Sequence, residues 1–229
     1  MSDLAKKILI GIPTVNGCHN ATTIWLLVQA QRSFRVIFGV GPLSVEDSRT
    51  KVVYKFLGTD KSFTHLLFLD YDVVPPMNAI EAMYKADKDV ISANYPLYIQ
   101  NRIHSSAFKL DPENKQFYPL SYTERGLHQV DAIGLGCALI KREVLEKAVL
   151  SKCFDLRYGM KNGHFDMLDS DDITFSKVVL RDGFKIWADM DQVCDHYKSV
   201  SLAGIIEDSQ KGTIVYEHKD VKQMAEARL

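Results

Sequence analysis

Leu66-Leu67-Phe68-Leu69-Asp70-Tyr71-Asp72-Val73-Val74-Pro75-Pro76 is the stretch on which the fold turns. A short apolar run ends in two aspartates and a double proline. Polar, charged sequence precedes it, so the run reads as a buried strand of a mostly parallel sheet. A strand that ends in Asp-X-Asp sets two carboxylates at the sheet's carboxyl edge, where open α/β sheets bind their ligands. Two such groups repel unless a cation joins them. Oxygen ligands suit Mg²⁺ or Mn²⁺, which are commonly held by one or two carboxylates together with substrate phosphates. The same residues also have a plainer use: Asp is a frequent turn former and helix cap, and Pro76 could open a helix.

Elements on both sides of this stretch fit an α/β sheet. Ile8 to Ile12 reads as a first strand closed by Pro13, and a helix follows from Asn20 through Phe34 with Leu26, Leu27 and Ala30 on one face. Arg35 to Val40 is a second strand. Ser44 can cap a helix from Val45 to Leu57, with Glu46 and Asp47 in the first turn, where the dipole favours anions. After the Asp-X-Asp strand come a helix from about Pro76 to Ala86 and a strand over Val90 to Ala93. This alternation predicts a parallel sheet with covering helices.

The second half changes character. Ile103 to Phe108 and Gln116 to Leu120 read as a hairpin around Asp111-Pro112-Glu113-Asn114. Gln129 to Lys141 is a strand-like run broken by Gly134-Leu135-Gly136, followed by a helix from Arg142 to Val149. A loop is expected over Asp155 to Asp169. Ser170 can cap a helix through Arg181, with Gly183 just past its end. Phe184 to Trp187 and Gln192 to Cys194 read as short strands, and Val215 to Arg228 as a helix. No repeat or linker divides the 229 residues, so one domain over 1–229 is expected. About 1–100 would form a nucleotide-binding half, about 101–200 an acceptor half, and 201–229 a tail.

Composition removes several classes. With 46% hydrophobic and 25% charged residues the chain has an ordinary globular balance. A net charge of -1 lends no electrostatic support to a nucleic-acid partner. No apolar run approaches the roughly 20 residues of a membrane span, and Met1 to Lys7 lacks a signal-peptide core. Cys18, Cys137, Cys153 and Cys194 show no Cys-X-X-Cys spacing and read as reduced thiols of a cytoplasmic protein.

A second constellation follows the expected loop. Asp169-Ser170-Asp171-Asp172 opens a helix, and Asp195-His196-Tyr197 lies some way beyond its end. Acids in a first helical turn ordinarily serve the dipole; at the mouth of a cleft one of them can be a general base. A lone histidine is ordinarily a surface or core residue, but a place at a strand end suits a ligand.

Three blocks now stand in order: Leu67 to Pro76, Val130-Asp131-Ala132-Ile133-Gly134-Leu135-Gly136-Cys137-Ala138-Leu139-Ile140-Lys141-Arg142, and Ser170-Asp171-Asp172-Ile173-Thr174-Phe175 continuing through Gly183 to Asp189 and on to His196. Together they resemble the GT-A glycosyltransferases, in particular the family 2-like group of small bacterial and viral enzymes. The resemblance covers about Ile8 to His196. It implies an α/β GT-A fold, a Rossmann-like nucleotide-binding half with a mixed central sheet and an acceptor-binding half. It implies a nucleotide-sugar donor, a UDP-sugar by default, a glycan or other hydroxyl acceptor, and Mn²⁺ or Mg²⁺. Pro13, Thr14, Arg49, Asp70 and Tyr71 would face the donor nucleotide. Asp72 and His196, with Asp70, would serve the metal. The family's helix-opening pair is commonly Glu-Asp. Here it is Asp171-Asp172, with Asp172 favoured as the base of an inverting transfer and Asp171 second.

Two other readings compete. A sugar nucleotidyltransferase would carry a Gly-rich basic loop after the first strand, whereas Pro13-Thr14-Val15-Asn16-Gly17-Cys18 has no Lys or Arg. A non-catalytic nucleotide- or glycan-binding module has no need of Asp70, Asp72, Asp172 and His196 together. The Gly134-Leu135-Gly136 turn reads equally as a close approach to sugar or acceptor and as a simple strand kink.

Overall fold

The computed structural model of the protein describes residues 3–15, 17–41, 44–99, 102–161 and 164–198. A 3₁₀ turn over Asp3–Lys6 leads into β1 (Ile8–Thr14), α1 (Asn20–Gln31), β2 (Arg35–Val40), α2 (Val45–Leu57) and β3 (His65–Leu69). Next come β4 (Val73–Val74), α3 (Ala79–Ala86), β5 (Val90–Asn94), β6 (Leu97–Ile99), β7 (Arg102–His104), β8 (Ala107–Leu110) and β9 (Phe117–Pro119). β10 (Leu127–Val130), β11 (Ala132–Ile133), β12 (Cys137–Lys141) and α4 (Arg142–Ala148) follow. β13 (Arg157–Lys161), β14 (His164–Asp169), α5 (Asp171–Arg181), β15 (Ile186–Val193) and β16 (Asp195–His196) complete the described chain.

The centre is a mixed seven-stranded sheet in the order β10-β15-β5-β12-β3-β1-β2. β1 pairs in parallel with both β2 and β3. β5 joins β3 only through β12, which lies antiparallel between them. The alternating first half predicts the parallel pairs but not this insertion. β12 can occupy a central place because both its faces are apolar. Cys137 and Leu139 pack into the cluster that contains Trp25 and Leu26 of α1, and Ala138 and Ile140 into the one that contains Val52, Phe56 and Phe175. β3 divides the same way, with Leu67 and Leu69 on one side and Leu66 and Phe68 on the other. Strand period two, buried on both faces, makes the continuous apolar runs of the sequence.

Helix α2 sits hard against the sheet. A Cβ on Gly39 would lie 2.2 Å from the Ser48 carbonyl oxygen, so only glycine admits this approach. Ser44 caps α2 as the sequence predicts, its Oγ accepting from the Asp47 amide at 3.2 Å. Arg142 closes the other end from the first turn of α4. Its guanidinium donates to the Phe56, Leu57, Phe63 and Asp60 carbonyls and to the Thr59 hydroxyl. The Phe56 and Leu57 carbonyls belong to the last turn of α2, which leaves them without intrahelical partners.

Several expectations are corrected. α1 turns Thr22, Trp25, Leu26 and Gln29 inward, while Leu27 is 61% exposed and Ala30 lies outside. Adjacent Leu26 and Leu27 stand about 100° apart on a helix and cannot both face the core. The helix expected from Pro76 begins at Ala79, because Val73–Val74 is extended in β4 and residues preceding proline avoid the helical region. Ile103 and His104 belong to β7, paired with β6, and only Ala107–Leu110 pairs with β9. The expected loop over Asp155 to Asp169 contains the hairpin β13–β14. The two short strands near Trp187 are one strand, β15, whose pairing with β5 shifts between Asp189 and Val193. The helix expected over Val215 to Arg228 lies outside the described residues.

Candidate active site

The Asp70-Tyr71-Asp72 segment forms a tight turn after β3, with the Val73 amide donating to the Asp70 carbonyl at 3.2 Å. The backbone holds it from three sides. The Asp70 amide donates to Gly136 O, the His19 amide to Tyr71 O and the Tyr197 amide to Asp72 O. The His19 and Tyr197 rings stack at 4.4 Å over this clamp.

The two aspartates have different neighbours. Asp70 accepts from one guanidinium nitrogen of Arg49 at 3.2 and 3.3 Å. The other Arg49 nitrogen reaches the Asp171 carboxylate and lies 3.0 Å from Asp172 Oδ1. One buried guanidinium from α2 therefore gathers three carboxylates, two of them from the first turn of α5. Burial opposes the charge on Arg49, but Asp172, Asp70 and Asp171 outweigh it and hold the group firmly protonated. Its Nε is buried without a partner among the described residues.

Asp172 also accepts from the Leu135 amide at 3.3 Å. The sequence suggests that the helix N-terminus keeps it ionised. Instead burial pushes its pKa up to about 7; Arg49 pulls down, while Asp171 and Asp70 push further up. The side chain keeps 27% of its surface exposed, which tempers this shift without reversing its direction.

Asp72 stands apart with His196. β16 pairs with β4, His196 opposite Val73, and this brings His196 Nε2 to 3.6 Å from Asp72 Oδ2. His196 Nδ1 lies 2.7 Å from the Pro96 carbonyl, which leaves Nε2 as the ring nitrogen turned toward Asp72. Lys198 Nζ reaches the same Oδ2 at 2.7 Å. Burial raises the Asp72 pKa, but hydrogen bonds from His196 and Lys198 prevail and lower it. A carboxylate and an imidazole nitrogen facing one another are ligand types that suit a divalent cation. Among the described residues no cluster of three or more His, Cys, Asp or Glu side chains could hold one, so the protein offers a pair.

The remaining expected residues are placed as follows. Pro13 is buried within β1, and the Thr14 hydroxyl is engaged with Gly17, donating to its carbonyl at 2.7 Å and accepting from its amide at 2.9 Å. Tyr71 is 40% exposed beside the clamp. Cβ atoms on Gly134 and Gly136 would meet the Tyr95 side chain at 2.0 and 2.7 Å, so these glycines make room for Tyr95. The Tyr95 hydroxyl accepts from the Gly136 amide at 3.1 Å. Lys198 and Tyr95 are site residues that sequence reasoning misses. Lys198 lies two places after His196, which is a signal; Tyr95 carries none.

The fold is a mixed α/β architecture of the GT-A-like kind. The crystal structure of A197 from STIV aligns with a TM-score of 0.57 at 21% identity, covering 84% of this chain and 86% of that one. GalNAc-T7, crystallised with UDP, GalNAc and Mn²⁺, aligns with a TM-score of 0.50 at 13% identity, over 86% of this chain and 38% of that one. No family model matches the sequence, and no curated protein matches it. No helix among the described residues is long and apolar enough to cross a membrane.

Proposed function

We propose that the protein is a metal-dependent, inverting glycosyltransferase. It would move a sugar from a nucleotide-sugar donor, a UDP-sugar by default, to the hydroxyl of a glycan or other acceptor. The observation that carries this reading is the division of the carboxylates: Asp72 paired with His196, and Asp172 held apart from them by Arg49. One group suits a cation and the other a proton. The ligands bound to GalNAc-T7 support the same donor class. The three ordered sequence blocks support a family 2-like position, and a single domain over 1–229 with its two halves belongs to the same reading. Four free cysteines suit a reducing compartment, hence a cytoplasmic location.

Asp72 and His196 would hold Mn²⁺ or Mg²⁺, while Asp70, the first carboxylate of the motif, is turned to Arg49. When bound, such an ion neutralises charge on the diphosphate leaving group. Pro13, Thr14 and Tyr71 would border the nucleotide. Arg49 orients Asp70 toward the donor and keeps Asp171 and Asp172 in place. The Asp172 carboxylate takes the acceptor hydroxyl proton. The acceptor oxygen bonds to the anomeric carbon as the carbon–oxygen bond to the diphosphate breaks. That electron pair departs with the nucleoside diphosphate.

A thermal-shift screen of nucleotides and nucleotide sugars with Mn²⁺ tests the reading. Selective stabilisation by one nucleoside diphosphate and its sugars is expected, because ligands that bind the native state raise its melting temperature. Equal indifference to all of them, with and without Mn²⁺, overturns it.

A further inference from the structure

One stripe of α5 faces a recess that the proposed transfer does not use. Arg157, Thr174, Lys177, Val178 and Arg181 line a space of about 190 Å³. The four α5 residues stand at i, i+3, i+4 and i+7, the spacing of one helix face. A single water needs about 10–15 Å³ of such volume, so the recess admits a far larger group. Three of its five lining residues are cations. Lys177 and Arg157 share one carboxylate, Asp169, at 2.6 and 3.5 Å, and Arg181 meets Asp182 at 2.9 Å. Three positive groups thus face two negative ones. Their side chains stay 59%, 45% and 59% exposed for Arg157, Lys177 and Arg181, leaving donors open to a ligand.

Thr174 is the second observation. It is 8% exposed, and its hydroxyl is buried without a partner among the described residues. Four other helical hydroxyls here bond back to a carbonyl one turn earlier, Thr23 to His19, Ser48 to Ser44, Thr50 to Glu46 and Ser176 to Asp172, and Thr22 donates to the Val73 carbonyl instead. Thr174 forgoes that bond. A buried hydroxyl left unmade is costly, and Thr174 is one of the residues that line the cationic recess.

We propose that this recess binds a phosphate group. Phosphate supplies several strong acceptor oxygens and a negative charge. Arg157 and Arg181 match it with planar forks, Lys177 with a point charge, and Thr174 with its unused hydroxyl. Thr174 lies three residues, about 4.5 Å of rise, beyond the start of the helix that carries Asp171 and Asp172. The phosphate therefore belongs to a ligand approaching from the α5 side; that it is the acceptor rests on the transferase reading. The neighbouring hairpin presents Tyr158, Met160, Phe165 and Met167 on one face, all exposed, with the Tyr158 and Phe165 rings stacked at 6.0 Å. An apolar face beside a phosphate site admits a lipid-borne phosphate as well as a soluble one.

Calorimetric titration of the full chain with inorganic phosphate, without donor or metal, is the test. Saturable binding is expected in the millimolar range or tighter. It should weaken about tenfold in Arg181→Ala and in Thr174→Val, the effect of losing one strong hydrogen bond. Thr174→Val should keep or raise the wild-type melting temperature, since it removes a buried hydroxyl that bonds nothing. UDP titrated with Mn²⁺ in the same variants should be unchanged, which separates this site from the donor site. Cosedimentation with phosphatidylcholine vesicles, with and without phosphatidic acid, distinguishes the sources: retention only with phosphatidic acid assigns a lipid headgroup, and phosphate binding without retention assigns a soluble phosphate. Absence of saturable phosphate binding, or binding that both variants leave intact, overturns the proposal.

Discussion

Lys198 Nζ lies 2.7 Å from Asp72 Oδ2, the carboxylate oxygen that His196 Nε2 faces at 3.6 Å. A primary ammonium thus stands where the proposed metal would meet its carboxylate. Lys198 and a divalent cation should compete for one oxygen. Lys198→Ala is therefore expected to bind Mn²⁺ more tightly, by about three- to tenfold, the worth of a half-exposed ion pair at up to about 1 kcal/mol or slightly more. Asp72→Asn should weaken Mn²⁺-dependent UDP binding, because a neutral amide cannot offset the cation's charge. Calorimetry with Mn²⁺ and UDP reads both; an unchanged Mn²⁺ affinity in Lys198→Ala would show that the lysine does not compete.

Asp172→Asn should lower turnover by about 10²–10⁴-fold, the usual contribution of a general base, while donor affinity survives. Asp171 contacts Arg49 but not the Leu135 amide, so Asp171→Asn should cost less. A larger loss in Asp171→Asn would reverse the assignment of the two neighbours.

Burial raises Asp172 to about 7, so turnover should climb with pH through about 7 and level off above it. Stability should run the other way. A carboxyl whose folded pKa exceeds its unfolded value of about 3.9 stabilises the fold fully below that value, and loses the contribution as pH rises through the folded pKa. The melting temperature of ligand-free protein should therefore fall between about pH 4 and 7, the window between those two pKa values, and level off above it. Asp172→Asn should flatten that slope. Parallel slopes in the two proteins would mean that Asp172 titrates normally.

Arg49→Met leaves Asp70, Asp171 and Asp172 together without their guanidinium. Removing one member of a buried charge group commonly costs about 3–5 kcal/mol. The loss should be largest at neutral pH and smaller near pH 4, roughly where carboxyls protonate. Urea unfolding at the two pH values measures it; equal losses would argue against carboxylate repulsion as the cause.

Gly134→Ala should destabilise by about 1–3 kcal/mol through overpacking, since the added Cβ would meet the Tyr95 hydroxyl oxygen at 2.0 Å and its ring carbon at 2.8 Å. Tyr95→Phe in the same chain should recover only part of this, because the ring remains. A wild-type melting temperature in Gly134→Ala would show that the Tyr95 side chain yields freely.

By itself the sequence determined the local elements. Strand period two around Leu66 to Leu69, Ser44 and Ser170 as helix caps, and the Asp-X-Asp turn are set by neighbours a few residues apart, and they are legible for that reason. The order of the three blocks also pointed to a GT-A-like fold. Tertiary structure alone decided where β12 enters the sheet, because both faces of that strand are apolar and periodicity carries no order. It decided that Arg49 meets Asp171 across 122 positions and that Lys198 meets Asp72 across 126, contacts that no spacing encodes. It placed Tyr95 under Gly134 and Gly136, turning a suspected substrate approach into packing. It also set the protonation of Asp172: the helix N-terminus, readable in sequence, favours the charge, but burial among Asp70 and Asp171 exists only once distant strands and helices have come together.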